Sequence, residues 1–238
     1  MHKIKALCFD VFGTVVDWRS GVAREARVFL QHHGRPDIDA FEFGDRWRGF
    51  YQPAMEACRT QGRPYTRLDV LHRENLDLVL KFFGIESAGM SAAELTEFSH
   101  AWRRLDPWPD AKQGLERLKR RFLIAPLSNG NLALMATMAK RSGLPWDLIL
   151  GAEVTREYKP APGAYLRAVD ILGLQADEVC MVAAHNDDLA AARRCGLTTA
   201  FVLRPTEHGP WQTTDVGPEQ VWDVVAQDLN ELAERLGC

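Results

Sequence analysis

The sequence predicts an α/β protein, in which a doubly wound parallel sheet carries a helical domain inserted after the first strand. An apolar run at residues 4–9 closes at Asp10 and a Gly-Thr pair, which is typical of a buried parallel strand. Residues 17–105 then show helical periodicity and no convincing strand. Strand-like runs alternate with helices in residues 106–238, and such alternation predicts a parallel sheet. We therefore expect an α/β core of residues 1–16 plus 106–238.

The inserted domain, residues 17–105, is expected to contain four helices. Apolar residues recur at helical spacing in three stretches, 19–33, 39–58 and 67–83. The segment 91–94, Ser-Ala-Ala-Glu, has the spacing of a capping box, so a fourth helix is expected to begin there.

The same patterns predict the elements of the core. Asp110 is expected to cap a helix that runs to Arg120. The elements expected next are a strand at 122–127, a helix at 131–142, a short strand at 148–150, a helix at 161–172, a strand at 178–184, a helix at 189–195 and a strand at 198–203. Pro218, as a first-turn proline, predicts a final helix that ends near Leu236.

Composition and charge restrict the class of protein. Hydrophobic residues make up 46% and charged residues 26% of the 238 positions, as in ordinary soluble globular proteins. The net charge of −3 gives no reason to expect nucleic acid or an anionic membrane as a partner. Five scattered cysteines without a CxxC pair favour reduced thiols in a cytoplasmic protein. We expect neither a signal peptide nor a membrane span, and both a monomer and a homodimer stay open.

Polar side chains follow several of the predicted core strands. They are Asp10 and Thr14 after the first strand, Ser128 and Asn129 after the second, Lys159 in a loop before a helix, and His185 and Asp188 after a later strand. Because ligands bind at the carboxyl ends of parallel strands, these side chains are expected to face one crevice. A carboxylate nucleophile, an ammonium group that orients it and backbone N–H groups at helix starts can together form a nucleophilic site. Taken singly, each group has an ordinary structural explanation, such as a surface lysine, a helix cap or a turn.

Four segments, in this order, resemble the sequence motifs of the haloacid dehalogenase superfamily. They are Phe9-Asp10-Val11-Phe12-Gly13-Thr14, Leu127-Ser128-Asn129-Gly130, Tyr158-Lys159-Pro160 and the loop from Ala183 to Asp188. The resemblance covers essentially the whole chain, and the helical insertion matches the position of that family's cap domain. It implies a Rossmann-like core of the haloacid dehalogenase type.

Position 12 separates two branches of that superfamily. Its phosphatases carry a second aspartate two residues after the nucleophile, which transfers a proton and helps to hold Mg²⁺. Here that position is Phe12, and Ala183-Ala184 replaces the Gly-Asp pair that usually opens the fourth motif. Asp10 and Asp188 alone would make a poor Mg²⁺ site, because the ion takes a near-octahedral set of oxygens. In these respects the chain resembles the type II L-2-haloacid dehalogenases, so we expect neither a metal nor a cofactor.

The resemblance assigns the catalytic roles to residues of the core. It implies that Asp10 is the nucleophile and that Thr14, Ser128 and Lys159 orient it and hold the carboxylate region of the substrate. It also implies that Asp188 is polar support for the lysine and for the hydrolytic water.

The resemblance also implies a set of substrate-binding and halide-binding residues. Asn129 is expected near the departing halide, and Tyr165 is expected to shape the site. The segment Arg46-Trp47-Arg48 resembles the part of the cap whose arginine reaches the halide, and we assign that role to Arg48 rather than Arg46. The full binding set is Val11, Phe12, Arg48, Asn129, Tyr165 and His185.

The fourth motif departs from the family pattern at three positions. Ala183 and His185 stand where the best-known members have a Ser-x-Asn, and Asp187 stands where they have a large aromatic residue. The halide cradle and the water-activating group are therefore expected to differ. His185 is either a general base or a side chain that only hydrogen-bonds its loop, and either His185 or Asp188 activates the water.

The function that these residues favour is hydrolytic dehalogenation of a short 2-haloalkanoic acid through an ester on Asp10. The expected product is a 2-hydroxy acid of inverted configuration. A small-molecule phosphatase of the same fold and a non-catalytic domain that binds a small acid are the alternatives. The halogen and the chain length of the substrate stay open.

Overall fold

The computed structural model describes residues 3–60 and 63–238, and the chain divides into two compact units. One, here called the α/β unit, comprises Met1–Asp17 and Asp106–Cys238. The other, here called the helical unit, is Trp18–Leu105. The first junction therefore falls one residue later in the chain than the sequence predicts.

The α/β unit is built on a six-stranded parallel sheet. The strands of the unit are β1 (Ala6–Phe9), β2 (Val16–Asp17), β3 (Asp106–Pro107), β4 (Leu123–Ser128), β5 (Leu150–Gly151), β6 (Val179–Ala183), β7 (Thr198–Val202) and β8 (Val224–Ala226). The sheet has the order β5-β4-β1-β6-β7-β8, while β2 and β3 form a separate antiparallel pair. Every residue of β1 and β6 is buried, as expected for central strands of a parallel sheet.

Strand β1 lies at the centre of the sheet and sets the position of the candidate site. Phe9, its last residue, pairs with Pro126 of β4 and Val182 of β6. The backbone N–H of Asp10 continues this ladder by donating to the Val182 carbonyl at 2.9 Å. Asp10 therefore lies at the carboxyl edge of the sheet, where open α/β sheets bind ligands.

The helical unit is held together by an aromatic core. Its helices are α1 (Trp18–His32), α2 (Ala40–Gly49), α3 (Tyr51–Thr60), α4 (Leu68–Phe82) and α5 (Ala92–Ser99). Trp47 packs edge-on against Trp102 with ring centroids 5.7 Å apart, and its ring is tilted against that of Phe98 at 5.2 Å. Its indole N–H donates to the His72 carbonyl at 3.1 Å, so this large buried ring leaves no polar atom unpaired. Among the described residues, no helix is long and apolar enough to cross a membrane.

The predicted helix at 39–58 is wrong as a single element, because the chain forms two helices with a break at Phe50. Phe50 is the C-cap of α2, and its N–H bonds back to Trp47 and Arg48. Pro53 explains the break, since it has no N–H to continue the ladder and is tolerated only in the first turn of the new helix.

The remaining helices belong to the α/β unit. They are α6 (Ala111–Lys119), α7 (Leu132–Ser142), α8 (Ala152–Thr155), α9 (Pro162–Leu172), α10 (Asn186–Arg194) and α11 (Leu229–Arg235). The predicted cap of α6 is wrong in its chemistry: Asp110 stands at the N-cap position, but its side chain makes no capping bond. Its carboxylate instead accepts hydrogen bonds from Arg204 and from the N–H of Leu229.

Two further predicted elements are wrong in extent. Helix α10 begins at Asn186 with His185 as its N-cap, so Asp188 lies in the first helical turn and not in the preceding loop. The final helix does not begin at Pro218, since residues 224–226 form the edge strand β8 and the helix begins only after Asp228. The branched residues of this segment pair with β7, and the Asp228 carboxylate accepts from the N–H of Glu231, which caps the helix.

Candidate active site

Asp10 is held by its own loop. Gly13 turns the chain with φ +90, a left-handed conformation that favours glycine. The turn brings the hydroxyl of Thr14 back to Asp10, where it donates to Oδ2 at 2.9 Å. The same hydroxyl accepts the N–H of Ala184 at 2.9 Å, which ties the nucleophile loop to the end of β6. The Thr14 hydroxyl that bonds Oδ2 of Asp10 is therefore itself held in place by the backbone of Ala184.

Lys159 bonds two carboxylates. Its Nζ donates to Asp10 Oδ1 at 2.9 Å and also forms a short contact with Asp188 Oδ2. The side chain is only 8% exposed, so the charge of the ammonium acts on both carboxylates with little screening by water. Its backbone N–H donates to Asn129 Oδ1 at 2.7 Å, which connects the lysine loop to the end of β4.

Asp188 is anchored at both carboxylate oxygens. One accepts from Lys159 and the other accepts from the hydroxyl of Tyr165 at 2.5 Å. Helix α9 supplies the tyrosine and the first turn of α10 supplies the aspartate, so this bond joins the two helices. Asp188 therefore contacts the lysine directly, and its role in catalysis stays a prediction.

His185 bridges Asp10 and a residue that the sequence analysis missed. Its Nδ1 lies 3.2 Å from Asp10 Oδ2, and its Nε2 lies 2.9 Å from Oε2 of Glu207. The Glu207 side chain is 1% exposed. Glu207 lies in the polar loop that follows β7. Because ligand-binding groups often follow the ends of parallel strands, the sequence could have indicated this loop as part of the site.

The charges at the site fix its protonation. Burial opposes ionisation of Asp10, but the charges of Lys159 and His185 and their hydrogen bonds outweigh it and hold the pKa of the carboxyl well below its usual range. Burial likewise opposes the charge of Lys159, and the two carboxylates outweigh it and raise the pKa of the ammonium. Burial and the charge of Asp188 raise the pKa of Tyr165. At neutral pH Asp10 is therefore an ionised carboxylate next to a charged lysine and a neutral phenol.

Arg204 is a second residue that the sequence analysis missed. Its Nε donates to the carbonyl of Thr14 at 2.9 Å, and its other two nitrogens donate to the Asp110 carboxylate at 2.8 and 2.7 Å. Both side chains of this ion pair are almost buried, at 7% and 12% exposure. The pair therefore holds the backbone of the nucleophile loop at Thr14.

The other predicted core residues lie near these groups in the chain. Ser128 ends β4, and its Oγ accepts the N–H of Gly130 at 3.1 Å. Val11 and Phe12 are buried beside Asp10 in the nucleophile loop, and Asp187 points to the exposed side of α10. The roles of these side chains toward a substrate stay predictions.

Arg46 and Arg48 lie in the last turn of α2, in the helical unit, and differ in environment. Arg48 is half-buried, with its guanidinium carbon 4.0 Å from the ring centroid of Tyr51 and 5.3 Å from that of Trp18. Arg46 is exposed and stacks on Phe82 at 3.7 Å. The aromatic contacts restrict the Arg48 side chain, but its predicted contact with halide stays a prediction.

The donor set around Asp10 does not resemble a divalent-metal site. The side chain of Phe12 offers no ligand atom, and Lys159 already supplies the positive charge between the carboxylates of Asp10 and Asp188. Within residues 3–60 and 63–238, the cluster of His, Cys, Asp or Glu side chains with ligand-like spacing is His32, His33 and Glu94, in the helical unit. The geometry suits a carboxylate nucleophile that is oriented by cations and hydroxyl groups.

Comparison with known proteins agrees with this chemistry. The crystal structure of the defluorinating L-2-haloacid dehalogenase Rha0230 is 49% identical, covers 99% of this chain and 96% of its own, and superimposes with a TM-score of 0.96. (S)-2-haloacid dehalogenase 4A of Burkholderia cepacia is 29% identical over 98% of this chain and 100% of its own length. An L-2-haloacid dehalogenase from Xanthobacter autotrophicus with chloropropionic acid covalently bound is 25% identical, with a TM-score of 0.79 and 98% coverage of each chain.

A relative with a different activity also matches. The phosphoglycolate phosphatase of Neisseria meningitidis is 33% identical over 85% of this chain and 81% of its own length. The family profile of haloacid dehalogenase-like hydrolases matches residues 4–196. The predicted family and fold class are confirmed: this chain belongs to the haloacid dehalogenase-like hydrolases.

Proposed function

We propose that this chain hydrolyses the carbon–halogen bond of short L-2-haloalkanoic acids and releases halide and a 2-hydroxy acid of inverted configuration. One observation carries the proposal: the ionised Asp10 carboxylate is held at both oxygens, by Lys159 on one and by Thr14 and His185 on the other. The relatives confirm the predicted class of enzyme, a hydrolase that acts on carbon–halide bonds.

In the first half-reaction Asp10 is the nucleophile. Its carboxylate attacks C2 of the substrate opposite to the halogen, the carbon–halogen bond breaks, and halide leaves with the bonding electrons. A rigid carboxylate aligned with the reacting carbon converts a bimolecular step into an effectively intramolecular one. The residue is only 8% exposed, so little water has to be removed from the carboxylate before it attacks.

In the second half-reaction water attacks the carbonyl carbon of the Asp10 ester. The bond between that carbon and the Asp10 oxygen that is attached to C2 breaks, so the oxygen given to the 2-hydroxy acid comes from the carboxylate. Water supplies the replacement oxygen, and Asp10 is restored as a carboxylate. Lys159 lies 2.9 Å from Oδ1 of Asp10. There it can stabilise the negative charge that develops on the carbonyl oxygen of the ester when water attacks.

The remaining predicted residues would bind the substrate and the leaving group. We propose that Ser128 holds the substrate carboxylate, that Asn129 and Arg48 bind the departing halide, and that Tyr165 shapes the site. We also assign Val11 and Phe12 to the lining of the substrate site. Asn129 is already oriented by its bond from the Lys159 backbone, at 2.7 Å, which supports its placement beside the reacting groups.

The principal alternative is a phosphatase of the same family, and the match to phosphoglycolate phosphatase makes it a real competitor. Phosphate ester hydrolysis needs an acid for the leaving alcohol, and Phe12 cannot transfer a proton. The non-catalytic alternative has less support, because a domain that only binds a small acid has no use for a carboxylate held at both oxygens. Halide release separates the dehalogenase from both alternatives.

The first experiment measures halide release from fluoro-, chloro- and bromo-acetate and from both enantiomers of 2-chloropropionate. We expect release from the L enantiomer and none from the D enantiomer. Phosphate release from phosphoglycolate in the presence of Mg²⁺, without halide release from any of these acids, would overturn the proposal in favour of the phosphatase.

The second experiment follows the oxygen. One turnover in H₂¹⁸O, with enzyme in excess over L-2-chloropropionate, should label the Asp10 peptide and leave most of the 2-hydroxy acid unlabelled. Label in the hydroxy acid with an unchanged Asp10 peptide would show that water attacks C2 directly. Asp10→Asn should release no halide in a freshly prepared sample, because the amide is a poor nucleophile.

We also propose a cytoplasmic location. The five cysteines of the chain are all free thiols, which suits a reducing compartment. Burial raises the pKa of Cys8 to about 12, so that thiol in β1 is protonated and inert next to the site.

A further inference from the structure

Glu207 is buried more completely than an ordinary glutamate. Its side chain is 1% exposed, and carboxylates are almost never buried to that extent unless they are paired. Its Oε2 lies 2.9 Å from Nε2 of His185, and its Oε1 lies 3.6 Å from Nε2 of His208. A Cβ atom on Gly13 would come within 2.1 Å of the same carboxyl group. The nucleophile loop therefore leaves room for this carboxylate.

His185 connects Glu207 to the reacting group, the carboxylate of Asp10. The ring contacts Asp10 Oδ2 through Nδ1 at 3.2 Å while Nε2 is held by Glu207. The His185 side chain is 22% exposed, so water can reach it. Asp188, the other candidate for activating water, has both oxygens occupied by Lys159 and Tyr165.

We propose that Glu207 is a positioning residue that holds His185 as the general base for hydrolysis of the Asp10 ester. The inference rests on the proposed function and assigns the second half-reaction to this pair. General bases placed in this way contribute typically about 10²–10⁴-fold to a rate.

The charge of Asp10 controls the protonation state of His185. In the resting enzyme the ring lies between two carboxylates; burial disfavours its charge, but Glu207 and Asp10 outweigh burial and raise the pKa of His185 well above 6.5. Lys159 faces the other oxygen of Asp10, and His208 faces the other oxygen of Glu207. The imidazolium therefore donates to both carboxylates and cannot act as a base at this stage.

Formation of the ester changes this state. Once Asp10 is a neutral ester, one of the two carboxylates that hold the proton has lost its charge, so the pKa of His185 falls. The Nδ1 proton is lost to solvent, and with the released halide it accounts for the acid that dehalogenation produces. Nδ1 is then a free acceptor next to the ester, while Nε2–H still donates to Glu207.

The protons balance through hydrolysis. Neutral His185 takes a proton from water as the water oxygen bonds to the ester carbonyl carbon. The tetrahedral intermediate expels the alkoxide of the 2-hydroxy acid, which takes that proton from the imidazolium. Asp10 is left as a carboxylic acid and returns its own proton to His185, which restores the carboxylate–imidazolium pair.

The test separates the two half-reactions. Chloride release from L-2-chloropropionate is followed from the first turnover in the native chain and in Glu207→Gln, His185→Gln and Glu207→Asp, with intact-protein mass measured at each time. Thr206→Ser, which changes an exposed side chain next to Glu207 in the same loop, is the matched control. Circular dichroism and thermal unfolding show that each variant is folded.

We expect Glu207→Gln and His185→Gln to release about one chloride per enzyme in a burst and then to turn over about 10²-fold more slowly, with the ester visible as added mass. Glu207→Asp should recover part of the turnover, and the control should resemble the native chain. The rate of ester hydrolysis should rise with pH, and Glu207→Gln should move that rise to lower pH, because His185 loses a carboxylate partner.

Three results would overturn the inference. Folded Glu207→Gln with native turnover would show that the carboxylate is not needed. Burst and steady state slowed together, with no ester, would show that the pair only orients Asp10 for attack. Absence of chloride release from the native chain would overturn the proposed function itself, whereas the first two results leave it intact.

Discussion

Replacing Arg204 by methionine tests whether the nucleophile loop depends on the buried ion pair that bonds its backbone at Thr14. The guanidinium makes two bonds to Asp110, at 2.8 and 2.7 Å, and one to the carbonyl of Thr14 at 2.9 Å. Methionine fills a similar volume and leaves the Asp110 carboxylate, 12% exposed, without its cation. Breaking a buried pair by removing one partner costs about 3–5 kcal/mol. At about 2–4 °C per kcal/mol for a chain of this size, the Tm should fall by about 6–20 °C.

The assay is thermal unfolding of four variants next to the native chain. Arg235→Met, which breaks the exposed pair with Glu231 in α11, is the control and should change the Tm by about 1–2 °C at most. Arg204→Met combined with Asp110→Asn should be more stable than Arg204→Met alone, because no uncompensated charge remains and the asparagine oxygen can still accept from Leu229. Asp110→Asn alone completes the cycle.

A fall of less than about 3 °C for Arg204→Met, or a double variant that loses the full sum of the single losses, would refute this account of the pair. Halide release measured well below each Tm gives the functional consequence. We expect it to fall in Arg204→Met, since Thr14 loses a backbone contact on the same loop that orients Asp10.

Three further predictions concern the metal, the halide and the helical unit. Halide release should persist after exhaustive EDTA treatment, since the side chain of Phe12 offers no metal ligand and Lys159 already neutralises Asp10 and Asp188; activity that is lost and then restored by Mg²⁺ would contradict this. Arg48→Ala should lose most turnover, while exposed Arg46→Ala should be milder; the reverse order would show that the halide contact was assigned to the wrong arginine. Burial lowers the pKa of His72 to about 3, below its unfolded value of 6.5, so the unfolded chain binds the extra proton and stability falls with pH below 6.5. Between pH 7 and 4.5 the loss should be about 3 kcal/mol in denaturant unfolding and should be absent in His72→Phe, and an equal loss in both proteins would refute it.

The elements that could be predicted are those whose ends are marked in the sequence by polar or turn-forming residues. Strand β1 ends in an aspartate and a Gly-Thr turn, and β4 and β6 also end in polar turns, so all three could be predicted as strands of a parallel sheet, although the order of the strands in that sheet could not. The C-terminal region could not, because Pro218 is a common first-turn residue but also an ordinary loop residue. Residues 224–226 form a strand because they pair with β7. The local sequence pattern gives no information about that pairing.

The candidate site divides in the same way. Asp10, Thr14, Lys159, His185 and Asp188 are brought together because each stands at a strand end or a helix start on one edge of the sheet. The strand-end rule marks the loop after β7 but does not single out Glu207 and Arg204 within it, since their importance comes from partners 22 and 94 residues away in the chain. A buried glutamate and a buried arginine look like surface residues until their partners are known.

The missed glutamate explains how the site tolerates loss of charge on its nucleophile. Lys159 and His185 both bond Asp10, so formation of an ester there removes the negative charge that each of them faces. Lys159 stays charged and buried, and it would have no carboxylate partner if it depended on Asp10 alone. Each has a second carboxylate: Asp188 for the lysine, and Glu207 for the histidine, whose Nε2–H can donate in either charge state. Since an uncompensated buried charge costs about 3–5 kcal/mol, this pairing lowers the free energy of the ester relative to a site without the outer carboxylates. Asp188 and Glu207 therefore stabilise the ester state, in which Asp10 has lost its negative charge.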